Sequence, residues 1–175
     1  SGKTTVLVTR LGYMIYCGQI APEKILTVTY TVAAARDMAG RFCALFGNEL
    51  KSRLEFRTIN GICAKVIQYY GNLIGKAPFS LTTDSEMPAK LLADIFRRTE
   101  ESYATESDLQ GIRRAITYIK NSMLTDEEIE RMDEEAGCKL SEIYKAYCGE
   151  LRARSLIDYD DQMVFTCRIF RQYPD

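Results

Sequence analysis

The sequence predicts an α/β protein: a parallel sheet of the phosphate-loop type, incomplete in this chain, with an all-helical subdomain inserted into it. Three observations favour this class. Helical and strand patterns alternate over residues 4–71, which is typical of parallel strands joined by helices. The letters GKTT, at residues 2–5, stand at the start of the first helix, as in phosphate-binding loops. From Asp84 to Arg154 only helical patterns occur, so this block interrupts the alternation.

The spacing of apolar residues defines the elements of the first part. In order, they are a helix over Thr4–Cys17, a strand over Ile25–Tyr30, a helix ending at Gly47, a strand over Leu54–Thr58 and a helix closing at Gly71. In the second helix we expect one side to carry Ala34, Ala35, Met38, Phe42 and Leu45. These five elements predict a core shared by a small parallel sheet and its helices.

The second part of the chain predicts helices only. Four helical patterns cover Met87–Phe96, Leu109–Lys120, Asp126–Met132 and Leu140–Leu151. Thr125, followed by three acids, is expected to cap the third of them. The final stretch resumes an apolar helical face through Met163, Val164, Cys167, Ile169 and Phe170.

Composition restricts the chemistry. With 46% hydrophobic and 27% charged residues and no apolar run of membrane-spanning length, the chain is expected to be soluble and cytoplasmic. The chain has no histidine, which excludes imidazole catalysis and the usual zinc patterns. Six cysteines without a C-x-x-C pair are expected to be reduced core residues. A net charge of −1 gives no overall attraction to nucleic acid.

The opening stretch SGKTT has the residue types of a phosphate-binding loop. The first N–H groups of a helix lack internal acceptors and lie at the positive end of its dipole, so they attract anions. Lys3 is expected to reach the β- and γ-phosphates of ATP, and the Thr4 hydroxyl to bind Mg²⁺. We expect the chain to be a piece of a longer protein that begins inside this motif. Four matching residues also leave open an accidental match.

The segment ILTVTYTVAAARDMAGR, residues 25–41, carries a second motif. A predicted strand ends in Thr29-Tyr30-Thr31 and runs into a helix with Ala34, Ala35 and Met38. This order resembles the second motif of superfamily 1 helicases of the UvrD, Rep and PcrA type. FRTINGICAKVIQYYG, from residue 56, and LIDYDDQMVF, from residue 156, resemble later segments of the same family in the same order.

The resemblance implies a domain organisation. Residues 1–74 would be the first part of a RecA-like motor domain, called 1A, and residues 75–155 its helical insertion, called 1B. Residues 156–175 would return to domain 1A and stop before the acidic motif that binds Mg²⁺ in the family.

The resemblance also implies an activity and site residues. The parent protein would be an ATP-dependent helicase that moves 3′ to 5′ along single-stranded DNA and unwinds duplex DNA. Gly2, Lys3, Thr4 and Thr5 would bind ATP and Mg²⁺. Tyr30 would stack on a base, Thr31 would lie near the DNA backbone, and Asn60 would donate to a phosphate.

Several positions depart from the family pattern. Val32 replaces an asparagine, Ala33 a lysine, and Ile59-Asn60-Gly61 the usual F-H-S, so polar DNA contacts are lost or altered. Tyr30 could instead be a core aromatic at the end of a strand, and Asn60 a helix cap.

Two charged clusters have alternative interpretations. Asp158, Asp160 and Asp161 could form a metal site, but at a helix entry we favour capping and packing of the helical insertion against the motor core. Cations on one helix could touch DNA phosphates, although exposed helices carry such residues routinely: these are Arg113, Arg114 and Lys120.

Three functional hypotheses stay open. The first is the UvrD/Rep-like motor, and the second is the motor part of a helicase-nuclease of the AddA or RecB type. The third is a non-catalytic helical interaction module in which SGKT is accidental. The chain shows no complete set of catalytic residues, so the isolated chain is expected not to hydrolyse ATP at a useful rate.

Overall fold

The computed structural model describes residues 2–75, 79–82 and 86–173. The protein is mostly helical, and its described residues also form two short pairs of parallel strands. The chain divides into two compact units between Lys65 and Val66. The predicted boundaries of the motor domain and its insertion, at residues 75 and 156, stay predictions. No helix in the described ranges has both the length and the apolar character needed to cross a membrane.

The first unit confirms the predicted alternation of helices and strands. Its elements are α1 (Lys3–Tyr16), β1 (Leu26–Thr29), α2 (Val32–Phe46), β2 (Glu55–Thr58) and the first half of α3 (Ile59–Leu73), with a 3₁₀ turn at Pro22–Lys24. Strands β1 and β2 pair in parallel, with Leu26 beside Glu55 and Thr29 beside Thr58. Helix α3 continues two residues past the predicted end at Gly71, which is buried inside it.

A small core joins α1, α2 and the strands. Its buried side chains are Val8, Leu11, Ile25, Met38, Phe42 and Leu54. Helix α1 approaches α2 at Gly12, where an added Cβ would overlap the ring of Phe46. Phe46 also stacks on Tyr16, with ring centroids 5.7 Å apart. Leu45, predicted to face this core, is 58% exposed, because Phe46 follows Phe42 by four residues and takes the inward position.

The second unit contains the predicted helical block. Its elements are the second half of α3, β3 (Ser80–Leu81), α4 (Met87–Glu100), α5 (Glu106–Ser122), α6 (Asp126–Ala136), α7 (Leu140–Ala153), β4 (Leu156–Ile157) and α8 (Tyr159–Gln172). Fully buried side chains from four helices form its core: Leu92, Ile95, Ile119, Ile129, Leu140, Ile143 and Leu151. Strands β3 and β4 pair in parallel, with Ser80 beside Leu156. This pair was not predicted, since two residues are too few to show a strand pattern.

Three helices of this unit begin with a capping box. The N-cap side chain accepts from the amide three residues on, and that residue's carboxylate accepts from the N-cap amide. The N-caps are Thr105 for α5, Thr125 for α6 and Asp158 for α8. The capping role predicted for Thr125 is therefore confirmed.

The predicted inward face of α8 is partly wrong. Val164 is buried as expected, but Cys167 and Phe170 are exposed, and Gln162 and Thr166 are buried instead. Asp158 and Asp161, at the start of α8, pair with Lys120 of α5. This pairing turns the side of α8 that carries the acids toward the core of the second unit. The prediction that the cysteines are core residues is wrong at Cys17 and Cys167, which are exposed, whereas Cys63 is buried as expected.

Candidate functional site

The start of α1 carries the first predicted site. Gly2 is the N-cap, with φ −71° and ψ 4°, and its carbonyl accepts from the amide of Val6 at 3.0 Å. Among the described residues, which begin at Gly2, no side chain caps this end, and no acid lies in the first turn of α1. The Lys3 and Thr5 side chains are exposed and Thr4 is half-buried. The site therefore has free helix amides, an ammonium group and a hydroxyl, which is a donor set suited to a phosphate and its metal ion.

The end of β1 presents an aromatic ring to solvent. Tyr30 is 90% exposed, so the alternative of a core aromatic at this position is wrong. Both of its neighbours are anchored. The buried Thr29 hydroxyl donates to the Thr31 carbonyl at 3.0 Å, and Thr31 Oγ1 accepts from the Ala34 amide at 3.1 Å as the N-cap of α2. The backbone on either side of Tyr30 is thus fixed by hydrogen bonds, while the ring itself is exposed to solvent.

The Thr31 hydroxyl keeps a free donor. Its oxygen accepts the capping bond from Ala34, but its own hydrogen is not used by that bond. A threonine in this state can donate to a phosphate oxygen without giving up its role in the helix. Thr31 is exposed, so such an acceptor can approach it.

Asn60 follows the end of the neighbouring strand. The Thr58 hydroxyl accepts from the Gly61 amide at 3.0 Å, so Thr58 caps α3 and the cap alternative for Asn60 is wrong. Asn60 lies in the first turn of α3 and is half-buried. Because β1 and β2 are parallel and end together at Thr29 and Thr58, the segments that follow them start at one edge of the sheet. Tyr30, Thr31 and Asn60 therefore stand just beyond the same edge.

Two cations of the first unit were missed by the sequence analysis. Arg57, on β2, and Lys65, on α3, both donate to the Glu55 carboxylate. The hydrogen bond from Lys65, followed by that from Arg57, lowers the pKa of Glu55. The sequence shows an acid and a base close together on β2. The pairing of that acid, Glu55, with Lys65 of α3 is visible only in the structure. The carboxylate compensates part of this positive charge.

A buried ion cluster in the second unit corrects one prediction. Lys120, expected to be an exposed helix residue with a DNA contact as the alternative, has only 2% of its side chain exposed, whereas Arg113 and Arg114 on the same helix are exposed. Its ammonium lies 2.7 Å from Asp158 Oδ2 and 2.9 Å from Asp161 Oδ1. Burial alone lowers the pKa of Lys120, but the two carboxylates outweigh it and leave the pKa above its ordinary value. Lys120 is therefore a buried structural cation.

The acids of the segment LIDYDDQMVF have structural partners. Asp158 caps α8 and also accepts from the Tyr147 hydroxyl at 3.3 Å. Asp160 accepts from Thr117 at 2.9 Å and from Asn121 at 3.0 Å, both on α5. The capping interpretation is confirmed. In the described part of the chain no three acidic, cysteine or histidine side chains are arranged to hold a metal ion.

Comparison with known proteins gives the family. The sequence model described as "UvrD/REP helicase N-terminal domain" matches residues 1–175. The ATP-dependent DNA helicase PcrA of Leuconostoc citreum is 27% identical over 176 residues, which cover 100% of this chain and 23% of the relative. A probable DNA helicase II homolog of Mycoplasma capricolum subsp. capricolum is 29% identical, over 98% of this chain and 24% of the relative.

A third relative agrees with these two. The ATP-dependent DNA helicase UvrD1 of Mycobacterium leprae is 25% identical over 99% of this chain and 23% of its own length. The chain thus spans about a quarter of the length of the curated relatives it matches. The mostly helical structure with a small parallel sheet is compatible with part of an α/β helicase domain. The match over every residue shows that the chain belongs to the UvrD/REP helicase N-terminal domain family.

Proposed function

We propose that the chain is the ATP- and DNA-binding N-terminal part of an ATP-dependent DNA helicase that moves 3′ to 5′ along single-stranded DNA. In this proposal the first unit is part of a phosphate-loop motor domain of the RecA type, acting in the cytoplasm. The observation that carries the proposal is Tyr30, a 90% exposed ring on a backbone that Thr29 and Thr31 hold in place. An exposed aromatic on a rigid support is what a protein that binds DNA of any sequence needs, since every base offers a stacking face.

The start of α1 would bind the nucleotide. The amides of the first turn and the Lys3 ammonium would hold the phosphates of ATP, with Gly2 and Thr5 flanking them. The Thr4 hydroxyl would hold Mg²⁺, which neutralises the charge that develops on the phosphates. The absence of an acid in the first turn of α1 supports this role, because a carboxylate there would repel the anion.

The edge beyond β1 and β2 would bind the strand of DNA. Tyr30 would stack on a base, while the Thr31 hydroxyl and the Asn60 amide would donate to the backbone. Val32 and Ala33 offer no polar group where the family has asparagine and lysine, so we expect fewer phosphate contacts and a weaker dependence of affinity on salt.

The test is ATP hydrolysis by the longer protein that carries this chain, with and without single-stranded DNA, beside its Lys3→Ala variant. We expect DNA to stimulate turnover and Lys3→Ala to abolish it. A strand-displacement assay with 3′- and 5′-tailed duplexes then reports direction, and unwinding of the 3′-tailed substrate alone is expected. Absence of ATP turnover in both proteins, with and without DNA, would favour the non-catalytic interaction module instead.

A further inference from the structure

The second unit contains a cavity that the proposed function does not use. It has a volume of about 360 Å³ and is lined by residues of α5, α7, β4 and α8, with Phe79 just before β3. Its apolar wall includes Ile119, Leu151 and Val164. Two aromatic rings, Phe79 and Phe165, pack against each other at its side, with centroids 6.3 Å apart. A cavity of this size, lined by apolar and charged side chains together, has the dimensions of a small-molecule site.

The charged side chains around the cavity are unevenly balanced. Four cations and one carboxylate line it: Lys120, Lys145, Arg152, Arg168 and Asp161. Asp161 is bound to Lys120, and Lys145 pairs on the surface with Glu130 at 3.2 Å. Arg152, from α7, and Arg168, from α8, have no carboxylate within ion-pairing distance among the described residues. Positive charge at this cavity is therefore left without a partner.

Two other cations near Arg152 do have carboxylate partners. On α7, Lys145 is compensated by Glu130, and the last turn of the helix places Arg154 3.1 Å from Glu150. Arg152 lies in the same turn and turns toward the cavity without such a carboxylate. Arg152 and Arg168 are both exposed and come from different helices, so an anion at the mouth of the cavity can reach both and form charge-assisted hydrogen bonds with them.

We propose that this cavity binds an aromatic anion of mononucleotide size, its ring against the aromatic wall and its anionic group paired with Arg152 and Arg168. Phe79, Phe165 and Tyr144 supply the faces for stacking, and the guanidinium groups favour a phosphate over a neutral group. The ligand could be a free nucleotide or one nucleotide of a DNA strand. This site would be separate in sequence from Lys3 and Tyr30, which belong to the first unit.

The experiment is a titration of the ¹⁵N-labelled chain with thymidine monophosphate, followed by NMR through the amides of Gly149 and Phe165, which line the cavity. We expect saturable shifts at these amides. Arg152→Gln and Arg168→Gln should each weaken binding about tenfold, the loss expected for one charge-assisted hydrogen bond. Arg113→Gln, an exposed arginine of α5 that does not line this cavity, should leave the affinity unchanged.

Two further ligands test the two halves of the proposal. Thymidine, which lacks the phosphate, and inorganic phosphate, which lacks the ring, should both bind at least tenfold more weakly. Absence of saturable shifts with thymidine monophosphate, or affinities unchanged in both arginine variants, would overturn the proposal. Inorganic phosphate binding as tightly as the nucleotide would overturn its aromatic half.

A last comparison distinguishes the two sources of the ligand. Octathymidylate is titrated into the Tyr30→Ala variant, in which the DNA site of the proposed function is weakened by the loss of its stacking ring. Shifts at Gly149 and Phe165 that Arg168→Gln removes would identify a nucleotide of the strand as the ligand. Shifts with the mononucleotide alone would identify a free nucleotide. Either result supports the site, and each is independent of whether Tyr30 binds DNA.

Discussion

Lys120 donates a hydrogen bond to Asp158 over 2.7 Å and so joins the last turn of α5 to the first residue before α8. The two residues are 38 positions apart in the sequence. Asp161 and the ring of Tyr147, whose centroid is 5.2 Å from the ammonium, complete the surroundings of this cation. The attachment of α8 to the helical unit therefore depends on a buried charge.

The first prediction concerns this charge. Lys120→Met should lower the free energy of unfolding by about 3–5 kcal/mol, because it leaves two carboxylates without their cation in a buried position. Urea unfolding followed by circular dichroism measures the change. Arg114→Met, on an exposed part of the same helix, is the control and should stay within about 0.5 kcal/mol of the parent. Equal effects of the two substitutions would contradict the structural role of Lys120.

A second prediction follows from the capping box of α6. The amide of Thr125, and then its hydroxyl, donates to Glu128 and lowers the pKa of that carboxyl. Since the folded pKa lies below the unfolded one, this stabilisation is complete above the ordinary glutamate pKa of about 4.3 and is lost as the pH falls through the folded pKa. Acidification should therefore weaken the start of α6.

Glu128→Gln tests this dependence, because glutamine keeps the hydrogen bonds but cannot titrate. The urea midpoint should fall less between pH 6 and pH 3 in Glu128→Gln than in the parent. Glu127→Gln is the matched control, since Glu127, the residue before Glu128, makes no hydrogen bond to Thr125 in the described residues. If both variants follow the pH dependence of the parent, the capping carboxylate does not contribute.

The third prediction compares two helical glycines of the first unit. Gly12→Ala should lower the free energy of unfolding by about 1–3 kcal/mol, because the new methyl group overlaps the Phe46 ring between α1 and α2. Gly40→Ala places a methyl group in open space on α2 and should raise the free energy of unfolding by about 0.5–1 kcal/mol. Thermal unfolding of the two variants gives the sign directly. A stabilising Gly12→Ala would show that α1 and α2 do not pack as described.

A fourth prediction separates binding from stability at Tyr30. Tyr30→Ala should weaken binding to single-stranded DNA by roughly 1–3 kcal/mol, the contribution of one stacked base, and Tyr30→Phe should restore most of it. Neither change should alter the urea midpoint, because the ring is exposed. Fluorescence anisotropy with a labelled oligothymidylate measures the affinity.

The control for this experiment is Tyr103→Ala, since Tyr103 is 83% exposed but lies in the second unit. Its DNA affinity should match that of the parent. A loss of affinity as large in Tyr103→Ala as in Tyr30→Ala would mean that any exposed aromatic contributes, and the proposed DNA site at the edge of the sheet would be wrong.

Whether a sequence prediction was correct depended on how far apart in the sequence the interacting residues lie. Helices were placed correctly because apolar spacing is local, and Thr125 was identified because its capping partners lie within three residues. Lys120 was misjudged because its partners lie far along the chain, and an exposed and a buried lysine look alike in a linear pattern. Leu45 was misplaced because Phe46, one residue on, fits the space beside Gly12.

The candidate site was also predictable from the sequence only in part. The exposed position of Tyr30 agrees with the expectation of a binding residue, although the sequence allowed a core position as well. The anchoring of its neighbours was not predictable, since the bonds from Thr29 and to Thr31 depend on the turn between β1 and α2. Arg57 and Lys65 were overlooked because the two cations that share Glu55 lie on different elements, β2 and α3.

The short pairing of β3 with β4 has an evolutionary consequence. Ser80 and Leu156 are neighbours, so the polypeptide leaves for the helical block and returns from it at adjacent points. A segment with such close ends can be gained, exchanged or deleted as a cassette while its host keeps its connectivity. We therefore expect relatives to differ in length and content between residues 82 and 155 more readily than in the elements outside this segment.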